Sequence, residues 1–360
     1  MAISFEVNRS DYTATRVVES DESLSAGQIL ARVEHFAVTA NNVTYATIGD
    51  ALGYWNFFPA DEGWGRVPAF GFAEVQESRC DEVEVGRRIY GYWPMASHLV
   101  LLPGRVNEQG FHDVSDHRKP MANVYNSYSY TESDPMHHVG REAQQMLLFP
   151  LFYTAFVVDD LFDDQSFYGA DAAVLSSASS KTAIATAHLL HARHQMRVVG
   201  LTSARNAEFV RSLGCYDEVA TYDSVDEIPI RPTIYADFSG SPTVRFTVHN
   251  HFADALVHST LIGGTHWDEV GGTLDVENTP GPAPEFFFAP SQIAKRTQDW
   301  GRRELEKRTA ESWEKFSKWS DSWLEIVHHS GADEMTDLWT AMLEGDVDPT
   351  QGHTADLSLS

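Results

Sequence analysis

Residues 39–59, TANNVTYATIGDALGYWNFFP, gather carboxamides, hydroxyls and phenols behind an apolar run. The phenols of Tyr45 and Tyr54 can donate a proton to an oxyanion or a carbanion, and Asn41, Asn42 and Thr44 are short hydrogen-bonding groups beside them. That set suits general acid work at a carbonyl or an activated double bond. Tyr45 is the first candidate, Tyr54 the second and Asn42 a supporting donor; the other use of both tyrosines is as aromatic wall. Gly53-Tyr54-Trp55-Asn56-Phe57-Phe58, followed by Trp64, Tyr92 and Trp93, is dense in rings. Such a lining suits a planar or apolar ligand, and a satellite core is the alternative.

A second constellation is Ser176-Ser177-Ala178-Ser179-Ser180-Lys181-Thr182, set between an apolar strand pattern and a helix pattern. Helix starts of this kind attract anions, because their first N–H groups lack acceptors and the helix dipole is positive there. Ser177, Ser179, Ser180 and Thr182 offer hydroxyls to a phosphate and Lys181 a charge, although the turn lacks all three glycines of G-x-G-x-x-G. A serine-rich N-cap to a packed helix explains the same residues. After the next strand the chain reads Gly200-Leu201-Thr202-Ser203-Ala204-Arg205, with no acid to accept from a ribose 2′-OH. Ser203 and Arg205 suit a 2′-phosphate, so a bound dinucleotide is expected to be NADP rather than NAD. Tyr222, ending the third strand pattern, is placed to close over that phosphate or to cap the sheet.

The elements that must hold these groups are legible as periods. GQILARVEHFAV (27–38) alternates apolar and polar residues, as do 83–90 and 97–102, which predicts a mostly β domain over 1–146. From Ala172 the pattern becomes strand, small-residue turn, helix and strand. It continues through a strand ending at Thr221, one at 233–238 and one near 256–263, an alternation that predicts a parallel sheet over 147–270. Residues 291–329, with Trp300, Trp313, Trp319 and Trp323, read as helix. LWTAMLEGDVDPTQGHTADLSL reads as helix, turn and terminal strand, so 271–360 is expected to return to the first domain.

Composition narrows the partners. The 360 residues carry 26 basic and 52 acidic side chains, a net charge of −26, and only six of the basic residues are Lys. A surface this acidic, with no basic cluster, excludes nucleic acid and anionic lipid as expected partners. The N-terminus has no basic segment followed by an apolar run, and no run approaches the ~18 apolar residues that span a bilayer. Two cysteines, Cys80 and Cys215, fit a reducing compartment. A cytoplasmic protein acting on a small molecule is the expectation.

Together the stretches ILARVEHFAVTANNVTYATIGD, GFAEVQESRCDEVEVGRRIYGYWPMASHLVLLPGRV, LLFPLFYTAFVVDDL, VVGLTSARNAEFVRSLGCYDEVATYD and FFFAPSQIAKRTQDWG resemble the medium-chain dehydrogenase/reductase superfamily. The likeness is to its zinc-free quinone and enoyl reductases, in a subfamily of uncharacterised proteins. It implies an α/β fold in which a Rossmann-type parallel sheet domain is inserted between the two parts of a mostly β, GroES-like catalytic domain. It also implies NADP(H) as cofactor and, by analogy, a homodimer. In related zinc-free reductases a polar residue and a Tyr from the first segment face the nicotinamide, and Tyr45 matches because Gly49 follows at the family spacing. Gly264, His266 and Phe288 fall where relatives flank the cofactor. Zinc members carry G-H-E where this chain reads Gly71-Phe72-Ala73-Glu74, so no metal is expected; His137-His138 and His249/His251 are read as solvated or packed. The function implied is NADPH-dependent hydride transfer to an activated C=C or C=O of a small apolar or aromatic compound. A redox-neutral lyase or hydratase on the same fold, or a non-catalytic NADP-binding protein, stays open.

Overall fold

The computed structural model describes residues 1–262 and 279–357, and the chain divides into two units, Met1–Leu147 with Leu324–Ser360, and Leu148–Trp323. The first unit opens with β1 (Ala2–Asn8), β2 (Thr15–Ser20), β3 (Ile29–Val38), α1 (Ala40–Thr47), α2 (Gly49–Leu52) and β4 (Trp64–Gly65). It continues with β5 (Pro68–Ser78), β6 (Arg88–Pro94), β7 (His98–Leu101), β8 (Pro103–Asn107), β9 (Gly110–Asp113) and β10 (Ser127–Tyr130). Helix α3 (Glu142–Asp164) leads into the second unit, which holds β11 (Ala172–Leu175), α4 (Lys181–Arg193), β12 (Arg197–Thr202), α5 (Ala207–Ser212) and β13 (Glu218–Thr221). There follow β14 (Thr233–Asp237), α6 (Pro242–Phe252), β15 (Leu256–Leu261), β16 (Glu285–Phe286), α7 (Ala289–Trp300) and α8 (Arg302–Ser320). The first unit resumes with β17 (Glu325–Ser330), α9 (Gly331–Glu344) and β18 (Gln351–Asp356).

The second unit is a six-stranded parallel sheet in the order β13-β12-β11-β14-β15-β16. Its inner strands are apolar without alternation because helices cover both faces: AAVL of β11 and TIYAD of β14 are buried at every position. Successive connections leave β11 and β14 in opposite directions, and such a switch point is where open α/β sheets bind ligands. The first unit has a nine-stranded sheet running β17-β18-β3-β5-β6-β10-β9-β8, with β7 beside β3, and a three-stranded sheet β2-β1-β4. Phe5, Ile29, Phe36, Trp93, Met335 and Trp339 fill its core, and the Trp339 indole donates to the Tyr12 carbonyl at 2.8 Å. The α/β architecture with a parallel-sheet unit set within a mostly β one is therefore as the sequence predicts.

Three local readings change. The chain returns to the first unit at Leu324, not near 270, because the contacts of 279–323, with α7 and α8, lie with the parallel sheet. Residues 325–330 form β17, paired in parallel with β18, where helix was expected. Helix α3 is long and apolar enough to cross a membrane by length and composition, contrary to the reading that no run is; 67% of that stretch is buried within the structure. Its Asp159 is ion-paired twice to Arg193, at 2.8 Å on each oxygen, and its Asp160 to Arg296 at 2.6 Å, as suits a core helix.

Candidate functional site

In the second unit the turn after β11 sits at the switch point. Ser180 caps α4, its Oγ accepting from the Ala183 N–H at 3.3 Å, and α4 is a 13-residue helix with Lys181 and Thr182 half-buried in its first turn. Ser179 Oγ accepts from Asn206 Nδ2 at 3.0 Å. Ser177 has φ of +50°, a left-handed conformation that glycine takes without strain, and its N–H donates to the Tyr222 phenol at 3.1 Å. The glycine missing from the turn is found opposite it. A Cβ on Gly200 would lie 2.9 Å from the Tyr216 ring and 3.1 Å from Ala178, so Gly200 lets the turn lie against β12, where the Ala178 N–H reaches the Leu201 carbonyl at 3.1 Å. Beyond β12, Ser203 is half-buried and Arg205 exposed, with no carboxylate from Thr202 to Asn206.

A buried network that the sequence reading overlooked braces the switch point. Asp237, fully buried at the end of β14, accepts from Ser176 Oγ at 2.8 Å, Ser239 N at 3.0 Å, Ser239 Oγ at 2.8 Å and Gly240 N at 3.0 Å, and pairs with Arg245 at 3.1 Å. Its only sequence signal is an acid followed by small residues, ADFSG, at a strand end. Phe288, predicted beside the cofactor, is the 59% exposed N-cap of α7, beside a cavity of about 180 Å³ that Thr260, His258 and Phe287 also line. Gly264 and His266 lie outside the described residues.

In the first unit the predicted phenols come together. The Tyr45 and Tyr54 rings stack at 4.5 Å and 22°, and join Phe57, Phe58, Phe70, Tyr92 and Tyr125 in one aromatic cluster. Burial holds the Tyr45 phenol well above its usual 10, the Tyr125 and Tyr54 phenols add to this, and the Tyr92 and Asn41 side chains oppose it. Tyr54 is raised too, by burial and then by Tyr125. Both are neutral acids at physiological pH.

Asn42 does not join them. Its Oδ1 accepts from the Thr39 N–H at 2.6 Å and its Nδ2 donates to the Pro68 carbonyl at 2.7 Å, so the predicted substrate donor is spent as a helix-capping residue. Trp55 and Trp93 belong to the barrel core rather than to the cluster. A Cβ on Gly49 or on Gly65 would lie 2.3 Å or 2.2 Å from the Trp55 indole, which gives Gly49 a packing reason of its own. Trp64 instead carries Arg16 over its face at 4.4 Å.

Beneath the cluster lies a residue that sequence reading missed. Arg118, 1% exposed, donates to Asn126 Oδ1 at 2.8 Å and the Tyr125 carbonyl at 2.7 Å, and stands 5.0 Å from the centres of both the Phe57 and Phe58 rings. No salt bridge to it is found among the described residues, so its charge is balanced by carbonyl dipoles and ring faces, and it favours electron density in the cluster above. Phe72, which the sequence resemblance sets against the zinc enzymes' His, is fully buried, 5.5 Å from the His35 ring and 5.8 Å from the His137 ring. His137 Nε2 donates to the Glu142 carboxylate at 2.8 Å, and among the described residues no group of three His, Cys, Asp or Glu side chains converges as a metal site.

Residues 36–348 match the model of a family described as protein of unknown function (DUF2855). The chain belongs to that family. No curated protein matches it. The fold of this DUF2855 member is similar to that of CurA from Vibrio vulnificus in complex with NADPH, at 13% identity over 99% of this chain and 100% of that one, TM-score 0.59. It is similar also to the Etr1p/NADP/crotonyl-CoA complex, at 10% identity over 99% of each chain, TM-score 0.56. A third similar structure is the quinone oxidoreductase from Coxiella burnetii, at 13% identity over 99% of this chain and 100% of that one, TM-score 0.53. At such identities the likeness is one of fold alone.

Proposed function

We propose that this DUF2855 chain is an NADPH-dependent, zinc-independent oxidoreductase that reduces an activated C=C or C=O bond of a small apolar or aromatic compound. The observation that carries the reading is the end of β12, where Ser203 and the exposed Arg205 stand with no carboxylate beside them. A 2′-phosphate fits that chemistry and a bare ribose diol does not. The α4 N-terminus suits the pyrophosphate, and the NADPH and NADP complexes of CurA and Etr1p support the same cofactor. Bound NADPH would supply the hydride. The chain's own contribution is to hold the substrate among the rings of the first unit and to deliver a proton from Tyr45, which burial keeps protonated. Arg118 biases that environment toward the negative charge that builds on the accepting atom. Phe72 offers a metal nothing, so no step is given to one. Two free thiols, Cys80 and Cys215, suit the cytoplasm, and a homodimer is part of the reading by analogy.

One feature favours a second reading, nucleotide binding without turnover: the turn after β11 departs from the dehydrogenase fingerprint at all three glycines. Steady consumption of NADPH with a panel of quinones, enones and aldehydes decides between them. Turnover with any acceptor supports the reductase; binding of NADPH without turnover supports the second reading.

A further inference from the structure

Strand β15 presents alternate residues to the two faces of the parallel sheet. Ser259 faces α6, where its Oγ lies 2.9 Å from His249 Nε2. His258 and Thr260 therefore face the other way, toward α3 and α7, with the His258 ring 6.4 Å from that of Phe162. On that face lies the cavity of about 180 Å³, walled by Leu161 of α3, Phe287 and Gln292 of α7, and completed by the exposed rings of Phe286 and Phe288. Thr260 is 1% exposed, and its hydroxyl has no hydrogen-bond partner among the described residues. Buried hydroxyls are nearly always satisfied, and valine would fill the same space in a strand without stripping water from one. His258 is 5% exposed, and Tyr168 lies flat on it, ring centres 3.8 Å apart and 5° from parallel. That stack covers the face of the imidazole and leaves its nitrogens at the edge. Burial, opposed by Glu285, holds the ring below its usual 6.5, so it is neutral, with one nitrogen to donate and one to accept. The backbone that delivers Tyr168 is strained: Ser166, Phe167 and Tyr168 have φ of +50°, +51° and +52°, a left-handed run that residues other than glycine rarely adopt. Such strain persists only where the surroundings over-determine it, and here it secures the ring that holds His258.

We infer that this cavity is a binding site for a small uncharged compound of one aromatic ring bearing a hydroxyl, a phenol in chemical class, with Thr260 and His258 as its polar anchors. An apolar cavity of about 150 Å³ is enough to bind benzene, so one of about 180 Å³ takes a single substituted ring and no dinucleotide. The ligand's hydroxyl supplies the partner that Thr260 lacks. Glu285, in the lining, repels a carboxylate or a phosphate and so selects an uncharged head. The Gln292 amide donates to Asp160 at 2.5 Å, which fixes the α7 wall. The cavity lies against a face of the sheet, whereas cofactors of open α/β sheets bind beyond the carboxyl ends of the strands. The site is therefore separate from the turn after β11 and goes beyond the proposed function.

The test is titration of the full chain with 4-fluorophenol and with fluorobenzene, followed by the fluorine resonance, for wild type, Thr260→Val and His258→Phe, without and with NADPH. The wild type should bind fluorophenol about tenfold more tightly than fluorobenzene, the worth of about one hydrogen bond. Thr260→Val should abolish that preference by weakening fluorophenol alone. Its thermal midpoint should be unchanged or raised, since a hydroxyl without a partner is removed. His258→Phe, which keeps a ring against Tyr168, should weaken fluorophenol in the same sense, and NADPH should leave both compounds bound. No binding, equal binding of the two compounds, or the same preference in wild type and Thr260→Val would overturn the inference. So would displacement by NADPH, which would hand the cavity to the nicotinamide. Because the readout needs no turnover, this inference and the reductase reading stand or fall separately.

Discussion

In the second unit the hydroxyls around the switch point are committed to the fold: Ser176 to Asp237, Ser179 to Asn206 and Ser180 to the start of α4. In the first unit the phenols stack on one another, and among the described residues the buried Tyr90 hydroxyl beside them has no hydrogen-bond partner. In the proposed function the choice of ligand in the second unit falls to a helix end and one exposed arginine. The other region is a cluster of packed rings around the Tyr45 and Tyr54 phenols. The difference teaches where mutation should act on rate, on cofactor choice and on stability.

The largest effect is expected at Tyr45. Tyr45→Phe should lower kcat for NADPH-driven reduction by about 10²–10⁴-fold, the usual range for a lost general acid, with NADPH affinity unchanged. A kcat within a few-fold of wild type would move the acid to another group and blur the contrast between the regions. Next comes Asp237→Ala, which leaves the Arg245 charge buried and strips four hydrogen bonds from the switch point. Removing one partner of a buried pair costs about 3–5 kcal/mol, so urea unfolding followed in the second unit should show a loss of that order. Arg205→Ala is smaller: the dissociation constant for NADPH should rise about tenfold or more and that for NADH stay put, since a charge-assisted contact is worth about 1.5–3 kcal/mol. Equal changes for both cofactors would remove the 2′-phosphate from Arg205.

Asn42→Ala separates capping from catalysis. It should cost about 1 kcal/mol of stability and leave kcat alone, whereas a drop in kcat with unaltered stability would restore Asn42 to the site. The smallest expected change is none at all. Because burial raises the Tyr45 phenol well above 10, its step in the pH–rate profile should be missing up to pH 10 and appear only above it. The same sign governs stability: with the folded value above the unfolded one, these phenols stabilise the fold below pH 10 and withdraw that support as pH rises through their folded values. A break in rate well below pH 10 would contradict the burial of Tyr45.

Much of the architecture was readable because its periods are strong. The unbroken apolar runs of β11 and β14 and the 3–4 spacing of α4 are local patterns, and the parallel sheet follows from them. The stretch EIVHHS was misread because six residues beside a long helical pattern carry too little period to oppose it, and its partner β18 lies more than twenty residues on. Tyr45 and Tyr54 were legible as phenols in one segment. Tyr125 and Arg118 were not, because they reach the cluster from a segment more than fifty residues away, and only register brings Phe70 opposite Tyr92. Asn42 was assigned to chemistry because a carboxamide three residues after Thr39 looks the same in sequence whether it caps a helix or faces a ligand. Gly200 was not legible as a packing residue, because the Tyr216 ring and Ala178 that need its missing Cβ come from other segments.

In the proposed function the second unit holds NADPH through Arg205 and the α4 N-terminus. The most direct test is titration of the purified protein with NADPH and with NADH, following nicotinamide fluorescence. The expected result is binding of NADPH with markedly weaker binding of NADH, the difference vanishing in Arg205→Ala. Binding of neither, or binding of both alike in the wild type, would contradict it.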